Sequence, residues 1–473
     1  MENFSDFKVW GWMILFAILL GSLLAGNVLK RAIPILKASL IPTSVLGGAI
    51  LLIIEAIYKA ITGVVMFDTE LFGGNGTASM EVITYHALAL GFIASALKTT
   101  EGKLTKKRSE EIFNSGVTTV ATYLLQGTFG LLITIIVAAV IIPEFFPAAG
   151  VLLPFGFGQG SGQALNYGNI YEKDFGFDGG RSFGLTIAAL GFISAALGGV
   201  FHLILMKRCG KLKKSSLTER PLRNEEIETE NEIPMQESMD KMTEQIAYVA
   251  LAYLMTYFVM RGVAALLPGM TSLIYGFNFL IGVLMATLLK AIMNGLRKGG
   301  FMRRKHTNNF LLTRTSNFFF DLMIVSGVAA IRLDILENYW GLIIILGVVG
   351  LVITYAYTRL IAKTLFKEYA EEQFLATYGM LTGTASTGII LLREVDPNFK
   401  TPAADNLVYQ NFPAIVFGLP LMFLATYAPK NPIMCLIIFI AFFTVLNIIL
   451  FRRQLLSLFK GRKKASKEVE KNK

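Results

Sequence analysis

Within residues 154–171, PFGFGQGSGQALNYGNIY, glycine recurs at every second position from Gly156 to Gly162, and polar side chains stand among the glycines. Each glycine lacks the Cβ atom that would keep a ligand or another backbone segment away. Carbonyl and hydroxyl oxygens in such a segment could replace the water around a cation, and side-chain amides could hold a polar solute. The predicted substrate contacts here are Ser161, Gln163 and Asn166, and the predicted ion contacts are Gly158, Gly160 and Gly162.

A simpler interpretation of this stretch is close packing of membrane helices. Gly156 with Gly160, and Gly158 with Gly162, both have the G-x-x-x-G spacing of that motif. One packing face needs only one such pair, so two interleaved pairs favour an interrupted helix. An interruption at membrane depth must be buried in protein or line a wet cavity, which makes it a predicted binding site. The spacing matches neither a P-loop nor a Rossmann fingerprint, which excludes a nucleotide site.

A second, weaker stretch lies about half the chain length later, at residues 378–394, YGMLTGTASTGIILLRE. Gly383 is a predicted ion contact, and the hydroxyls of Thr384, Ser386 and Thr387 are predicted substrate contacts. The N-termini of interrupted helices carry partial positive charge, which suits a carboxylate. The alternative for each hydroxyl is a hydrogen bond to the carbonyl four residues earlier.

Two further polar residues lie inside apolar segments and are predicted ion contacts. Asp321 falls within a predicted span, where a charged side chain costs about 2.5–3.5 kcal/mol. It could bind a cation, pair with Arg314 or Arg332, or lie near the membrane interface. For Gln126, in the predicted fourth span, the alternative is a hydrogen bond between helices.

Composition indicates an integral membrane protein. The 473 residues are 54% hydrophobic and 16% charged, whereas soluble domains carry about 25% charged residues. The net charge of +11 arises from lysines and arginines between apolar runs, which favours membrane topology over nucleic-acid binding. The two cysteines and three histidines are dispersed and form no H-E-x-x-H motif. The sequence predicts no enzyme, no catalytic residue, no transition metal and no cofactor.

The apolar runs predict an all-α polytopic protein with two five-span repeats of inverted topology. Each repeat contains a re-entrant or broken hairpin, at 154–171 and 378–394, and an extra span follows. Flanking positive charges place the N-terminus outside and the central linker and C-terminus in the cytoplasm. The predicted domains are 1–206, a linker at 207–244, the inverted repeat at 245–428, and the last span with a basic tail at 429–473. The predicted spans are 9–29, 41–62, 82–97, 112–142, 182–206, 246–267, 276–293, 310–331, 339–362, 407–427 and 433–451.

Three segments resemble the sodium/glutamate symporter family of the ESS type. They are IPTSVLGG at residues 41–48, GQGSG at residues 158–162, and Gln126 followed by Gly127. The chain departs from the family pattern at Gln159, Leu381 and Ser386, where histidine, glycine and proline are expected. The resemblance implies a sodium-coupled symporter of the cell inner membrane that imports glutamate or a similar acidic amino acid. It further implies a homodimer that works by an elevator-like, alternating-access mechanism.

The residues leave two other transport functions open. One is a sodium-coupled carrier of a 2-hydroxycarboxylate or dicarboxylate, because the departures from the family pattern fall in both hairpins. The other is an ion channel, since glycine-rich re-entrant loops also form selectivity filters. A membrane-embedded enzyme would need converging acid, base or metal-binding groups, and the sequence shows none.

Overall fold

The computed structural model describes residues 6–34, 36, 40–98, 105–210, 239–300, 307–396 and 400–454. All regular elements in these ranges are helical. Most of the predicted linker, at 211–238, and the predicted basic tail from residue 455 lie outside the described residues. The α-helices are α1 (Phe7–Ala32), α2 (Thr43–Thr62), α3 (Gly76–Leu97), α4 (Lys106–Ile136), α5 (Leu152–Gln159), α6 (Ser161–Phe175), α7 (Gly180–Arg208), α8 (Lys241–Leu266), α9 (Thr271–Gly276), α10 (Asn278–Lys298), α11 (Asn309–Ala329), α12 (Trp340–Leu365), α13 (Ala370–Thr382), α14 (Ala385–Arg393), α15 (Ala403–Tyr409), α16 (Asn411–Tyr427) and α17 (Pro432–Leu450).

Nine helices in the described ranges are long and apolar enough to cross a membrane, namely α1, α2, α3, α4, α7, α8, α10, α12 and α17. Each coincides with a predicted span. Only 22% of the apolar window of α1, α8 and α17 is buried, against 56% for α3 and α7. The first three therefore carry most of their apolar side chains on the surface, and the last two are the most enclosed. The predicted all-α, multi-pass architecture is confirmed.

The remaining two predicted spans differ from a simple apolar helix. The span predicted at 310–331 is helix α11, in which Arg314, Asn317 and Asp321 interrupt the apolar sequence, so that it is not among the nine candidate spans. The span predicted at 407–427 is divided into α15 and α16, which are bent by 51°. Pro413 explains this bend, because it has no N–H to donate to the carbonyl of Tyr409.

The long helices form two bundles, defined by which helices pack together. The first bundle contains α1, α2, α3, α8, α10 and α11, and the second contains α4 to α7 and α12 to α17. Helix α11 lies inside the first bundle, where it packs on α3, α2 and α1. Two polar links join α11 to α3: the Ser316 hydroxyl donates to the Gly91 carbonyl at 2.9 Å, and the Thr84 and Ser326 hydroxyls lie 2.9 Å apart. These hydrogen bonds satisfy the buried hydroxyls of α11, whereas Arg314, Asn317 and Asp321 lie on its exposed face.

Helix α7 supports both predicted hairpins from the second bundle. It packs along α5 and α6, and its Gly191 lies against α5 and the end of α13. A Cβ atom at Gly191 would lie 2.5 Å from the Thr382 carbonyl oxygen and 3.2 Å from the Phe157 Cα. This position therefore requires glycine, because any side chain would separate the helix from both hairpins.

Candidate functional site

The first glycine-rich stretch is a helical hairpin that folds back at Gly160. Helix α5 ends at Gln159, α6 begins at Ser161, and Gly160 between them has φ 81° and ψ −178°. That backbone conformation is essentially restricted to glycine. The rings of Phe155 and Tyr167 stack with centroids 3.8 Å apart, although twelve residues separate them. The chain therefore reverses at Gly160, and α5 and α6 pack side by side.

The second stretch is also a hairpin, which folds back at Gly383 and Thr384. Helix α13 ends at Thr382, and Thr384 caps α14 by accepting a hydrogen bond from the Thr387 backbone N–H at 3.4 Å. A Cβ atom at Gly379 would lie 2.8 Å from the Gly388 Cα, so the two legs touch backbone to backbone. Polar N-cap residues such as threonine favour a helix start at this point.

The two helix breaks lie against each other. A Cβ atom at Gly160 would be 3.6 Å from the Thr384 Cγ2 and 3.7 Å from the Gly383 carbonyl oxygen. Two helix C-termini and two helix N-termini therefore converge at one place. The carbonyl ends suit a cation, and the N–H ends suit a carboxylate.

The meeting point of the breaks also lies at the interface between the two bundles. Ser161 packs on α11, because a Cβ atom at Gly327 would be 3.0 Å from the Ser161 Cβ. Gly162 packs on α3 in the same way, with the Leu88 side chain 2.8 Å from its ideal Cβ position. The tip of the first hairpin is thus covered by the first bundle.

Several buried polar atoms near the first break have no hydrogen-bond partner within the described residues. They are the Ser161 hydroxyl, both side-chain amide atoms of Gln163 and the Gln126 Oε1. Leaving a buried polar group unpaired costs about 1–3 kcal/mol, and most such groups in proteins are satisfied. Hydroxyl and amide oxygens are suitable ligands for a small hard cation, and the amide N–H groups are donors for an anion.

Gln126 connects three helices beside this site. Its Nε2 donates to the Thr354 hydroxyl at 2.9 Å and to the Leu381 carbonyl at 3.0 Å, which joins α4 to α12 and to the end of α13. Its Oε1 lies 3.3 Å from the ideal Cβ position of Gly158. Gln126 therefore has the predicted interhelical hydrogen bond and also borders the breaks with a free oxygen.

The other predicted site residues divide into those near the breaks and those elsewhere. Thr384 and Thr387 lie at the second break, with their hydroxyl oxygens 3.3 Å apart. Ser386 is in the first turn of α14. Gly158 packs against the Tyr123 ring, as a packing glycine would.

Asn166 and Asp321 are not at the breaks. Asn166 lies further along α6, and its Nδ2 donates to the Gly276 carbonyl at 3.3 Å. Asp321 is an exposed residue of α11, and its carboxylate is close to the Ser44 hydroxyl at the start of α2. The structure records no ion pair between Asp321 and either arginine considered for it, within the described residues. Any contribution of Asp321 to ion binding would therefore occur away from the breaks.

A cavity of about 330 Å³ reaches the first hairpin from one end of the molecule, and sequence reasoning missed it. Gln159, the last residue of α5, borders the cavity together with Tyr123. Lys98 and Lys290 border it as well. The only sequence signal was the place of Gln159 within the glycine-rich stretch, because the lysines had the pattern of ordinary topology markers.

Comparison of the chain with protein-family models gives no match, and comparison with curated proteins gives none either. No group of three or more histidine, cysteine, aspartate or glutamate side chains that could hold a metal occurs in the part of the chain that the structure describes. At the level of class, the fold defines a multi-pass, all-helical membrane protein.

Proposed function

We propose that this protein is a sodium-coupled secondary active transporter that imports glutamate or a similar acidic amino acid. The observation that carries the proposal is the contact between the breaks at Gly160 and Gly383, with the unpaired polar atoms of Ser161 and Gln163 beside them. Paired broken helices near the membrane midplane are typical binding sites in secondary transporters. Sodium and glutamate themselves come from the family resemblance.

The packing pattern supports the inverted repeat within this proposal. If α1, α2, α3, α4 and α7 correspond to α8, α10, α11, α12 and α16, contacts in one half have counterparts in the other. Thus α1 packs on α2 as α8 packs on α10, and α2 packs on α11 as α10 packs on α3. The pairs α3 with α11 and α4 with α12 map onto themselves. Such a pattern is expected for two halves related by a two-fold axis, and it favours two re-entrant hairpins inserted from opposite sides.

The two bundles support an elevator-like mechanism. Both hairpins belong to the second bundle, and the tip of the first hairpin is covered by α3 and α11 of the first bundle. Sliding of the second bundle past the first would uncover the breaks to one side of the membrane and then the other. In this proposal the first bundle is the fixed scaffold and provides the interface of a homodimer.

The proposal is tested by uptake into proteoliposomes that contain the purified protein. We expect saturable, concentrative uptake of radiolabelled glutamate driven by an inward sodium gradient and abolished when choline replaces sodium. Malate and succinate test the dicarboxylate alternative. Sodium-independent, non-concentrative flux would instead indicate a channel, and either that flux or the absence of uptake for every solute would refute the proposal.

A matched pair of variants tests the site itself. Ser161→Ala removes a buried hydroxyl at the break, and Thr382→Val removes one nearby that already donates to the Tyr378 carbonyl at 2.7 Å. A hydrogen bond to a charged partner contributes about 1.5–3 kcal/mol. Ser161→Ala should therefore raise the half-saturation constant for sodium or for glutamate about tenfold or more. Thr382→Val should leave both half-saturation constants within about twofold of wild type, because its hydroxyl bonds only to the backbone.

A further inference from the structure

The cavity beside the first hairpin runs along the seam between the two bundles. Its walls come from α3, α10 and the first residue of α11 in the first bundle, and from α4, α5, α15 and α16 of the second. The cavity borders α10 from Phe279 to Lys290 and α16 from Asn411 to Met422. At 1.5 Å per residue, each of these helix segments is about 16 Å long. We call this space the seam cavity.

One end of the seam cavity carries positive charge. Lys98 follows the last residue of α3, and Lys290 lies in the second half of α10, while no aspartate or glutamate among the described residues lines the cavity. Lys290 is held in position, because its Nζ donates to the carbonyls of Ala96 and Lys98 at 2.8 and 3.0 Å. Both ammonium groups lie at the end of the molecule predicted to face the cytoplasm.

Lys98 has no recorded partner for its side chain within the described residues. Burial lowers the pKa of Lys98, because the ammonium group loses water without gaining a negative neighbour. A bound anion would restore that lost interaction. The side chain therefore has both the charge and the free hydrogen-bond donors that a carboxylate requires.

The remaining walls restrict which anion fits. Phe92 and Phe279 stand with ring centroids 5.3 Å apart, and Ile415 and Met422 add further apolar surface. The volume lies near the lower end of the range for small-ligand sites. Apolar walls with a cationic end suit a small organic acid, whose carbon chain can lie on the rings, better than a compact, strongly hydrated inorganic anion.

We propose that the seam cavity binds the anionic substrate between the hairpin breaks and the cytoplasmic face, with Lys98 contacting a substrate carboxylate. This inference rests on the proposed transport function. It adds the path that the substrate takes between the breaks and the cytoplasm, and a residue on that path that recognises the substrate. Gln159 marks the end of the path at the first break, and Lys98 marks its cytoplasmic end.

The test compares Lys98→Gln and Lys98→Arg with Lys107→Gln. Lys107 is a control on the same face, because it pairs with exposed Glu368 at 2.8 Å and does not line the cavity. Half-saturation constants for glutamate are measured from each face of proteoliposomes that contain uniformly oriented protein. We expect Lys98→Gln to raise the constant about tenfold from the cytoplasmic face and less than twofold from the other. Lys98→Arg and Lys107→Gln should stay within twofold of wild type on both faces.

A separate binding readout distinguishes failure of this inference from failure of the proposed function. If the wild-type protein transports no tested solute, thermal unfolding in detergent with and without millimolar glutamate or malate tests the cavity alone. Stabilisation that Lys98→Gln abolishes and Lys107→Gln retains supports the inference. No stabilisation, or equal stabilisation in all variants, overturns it.

Two further outcomes would also overturn the inference. One is equal transport by Lys98→Gln and Lys107→Gln from both faces. The other is a lipid in the cavity: wild-type protein purified from phosphatidylglycerol-containing membranes would retain that lipid, Lys98→Gln would lose it, and neither glutamate nor malate would bind. In that case the positive charge recognises a lipid headgroup rather than a transported anion.

Discussion

Replacing Gly160 with alanine should destabilise the hairpin through the backbone rather than through a steric clash. Gly160 has φ 81° and ψ −178°, which residues with a side chain adopt only at a cost of about 1–3 kcal/mol. Space is available for the added methyl group, since its nearest neighbours, on Thr384, Gly383 and Met323, would be 3.6–3.8 Å away. The whole penalty is therefore conformational strain.

The assay is thermal or denaturant unfolding of the purified protein in detergent, together with glutamate uptake. Gly160→Ala should lower the free energy of unfolding by about 1–3 kcal/mol and reduce uptake, because relaxation of the strain moves the first break away from the second. The matched control is Gly262→Ala near the C-terminal end of α8, where no atom lies within 4 Å of the ideal Cβ position. That change should leave uptake intact and stabilise the helix by up to about 1 kcal/mol.

Gly383→Ala provides a second comparison at the other break. Gly383 has φ −147° and ψ −104°, outside the left-handed region, and its Cβ atom would lie 2.9 Å from the Thr387 Oγ1 and 3.1 Å from the Phe192 Cδ1. Gly383→Ala should therefore crowd the second break and reduce uptake, although rotation of Thr387 can relieve part of this crowding. If Gly160→Ala is as stable and as active as Gly262→Ala, the argument from backbone conformation at the first break is refuted.

Three other changes have defined expected outcomes. Gln126→Leu should lower the unfolding free energy by about 1–3 kcal/mol, because the buried Leu381 carbonyl loses a donor at 3.0 Å; unchanged denaturant unfolding would contradict this. Asp321→Asn should raise the sodium concentration for half-maximal uptake, and an unchanged sodium titration would assign the residue to structure only. The third change, Lys59→Met, removes the ion pair with Asp334. Burial raises the pKa of Asp334, but the Lys59 hydrogen bond and the nearby positive charge outweigh burial and hold this pKa below its usual value. Its ionised form therefore stabilises the fold above its unfolded pKa of about 4, and this contribution is lost as pH falls through the folded pKa. Lys59→Met should lower the free energy of unfolding by under about 1 kcal/mol at neutral pH, because the pair is partly exposed. The resulting difference in unfolding temperature between wild type and Lys59→Met should disappear in acid. A difference that does not change with pH would refute a stabilising ion pair between Lys59 and Asp334.

The helices could be predicted from sequence because lipid imposes a simple requirement. Apolar runs of about 20 residues must be helical to satisfy their backbone groups, so the span predicted at 182–206 appears as Gly180–Arg208. The helix break could also be located, since glycine at alternate positions removes the side chains that stabilise a continuous helix. Flanking charges gave the proposed orientation, which remains a prediction.

The details of the site depend on tertiary contacts that no local pattern contains. Gly158, Gly160 and Gly162 look equivalent in sequence, yet the first packs on Tyr123, the second forms the break and the third packs on Leu88. The amide of Asn166 seemed suited to a ligand but bonds to the backbone after α8. The seam cavity brings Lys98 to the same space as Gln159, and only the packing of the two bundles creates that proximity.

The polarity of α11 has a consequence for biosynthesis. Membrane helices enter the bilayer largely by their own apolarity, and Arg314, Asn317 and Asp321 weaken that tendency in α11. Helix α3, on which α11 packs and which contacts its Ser316 and Ser326 hydroxyls, is synthesised long before α11, in the first half of the chain. Stable insertion of α11 therefore requires α3 to remain accessible until the second half emerges from the ribosome, which makes the order of assembly part of how this fold is reached.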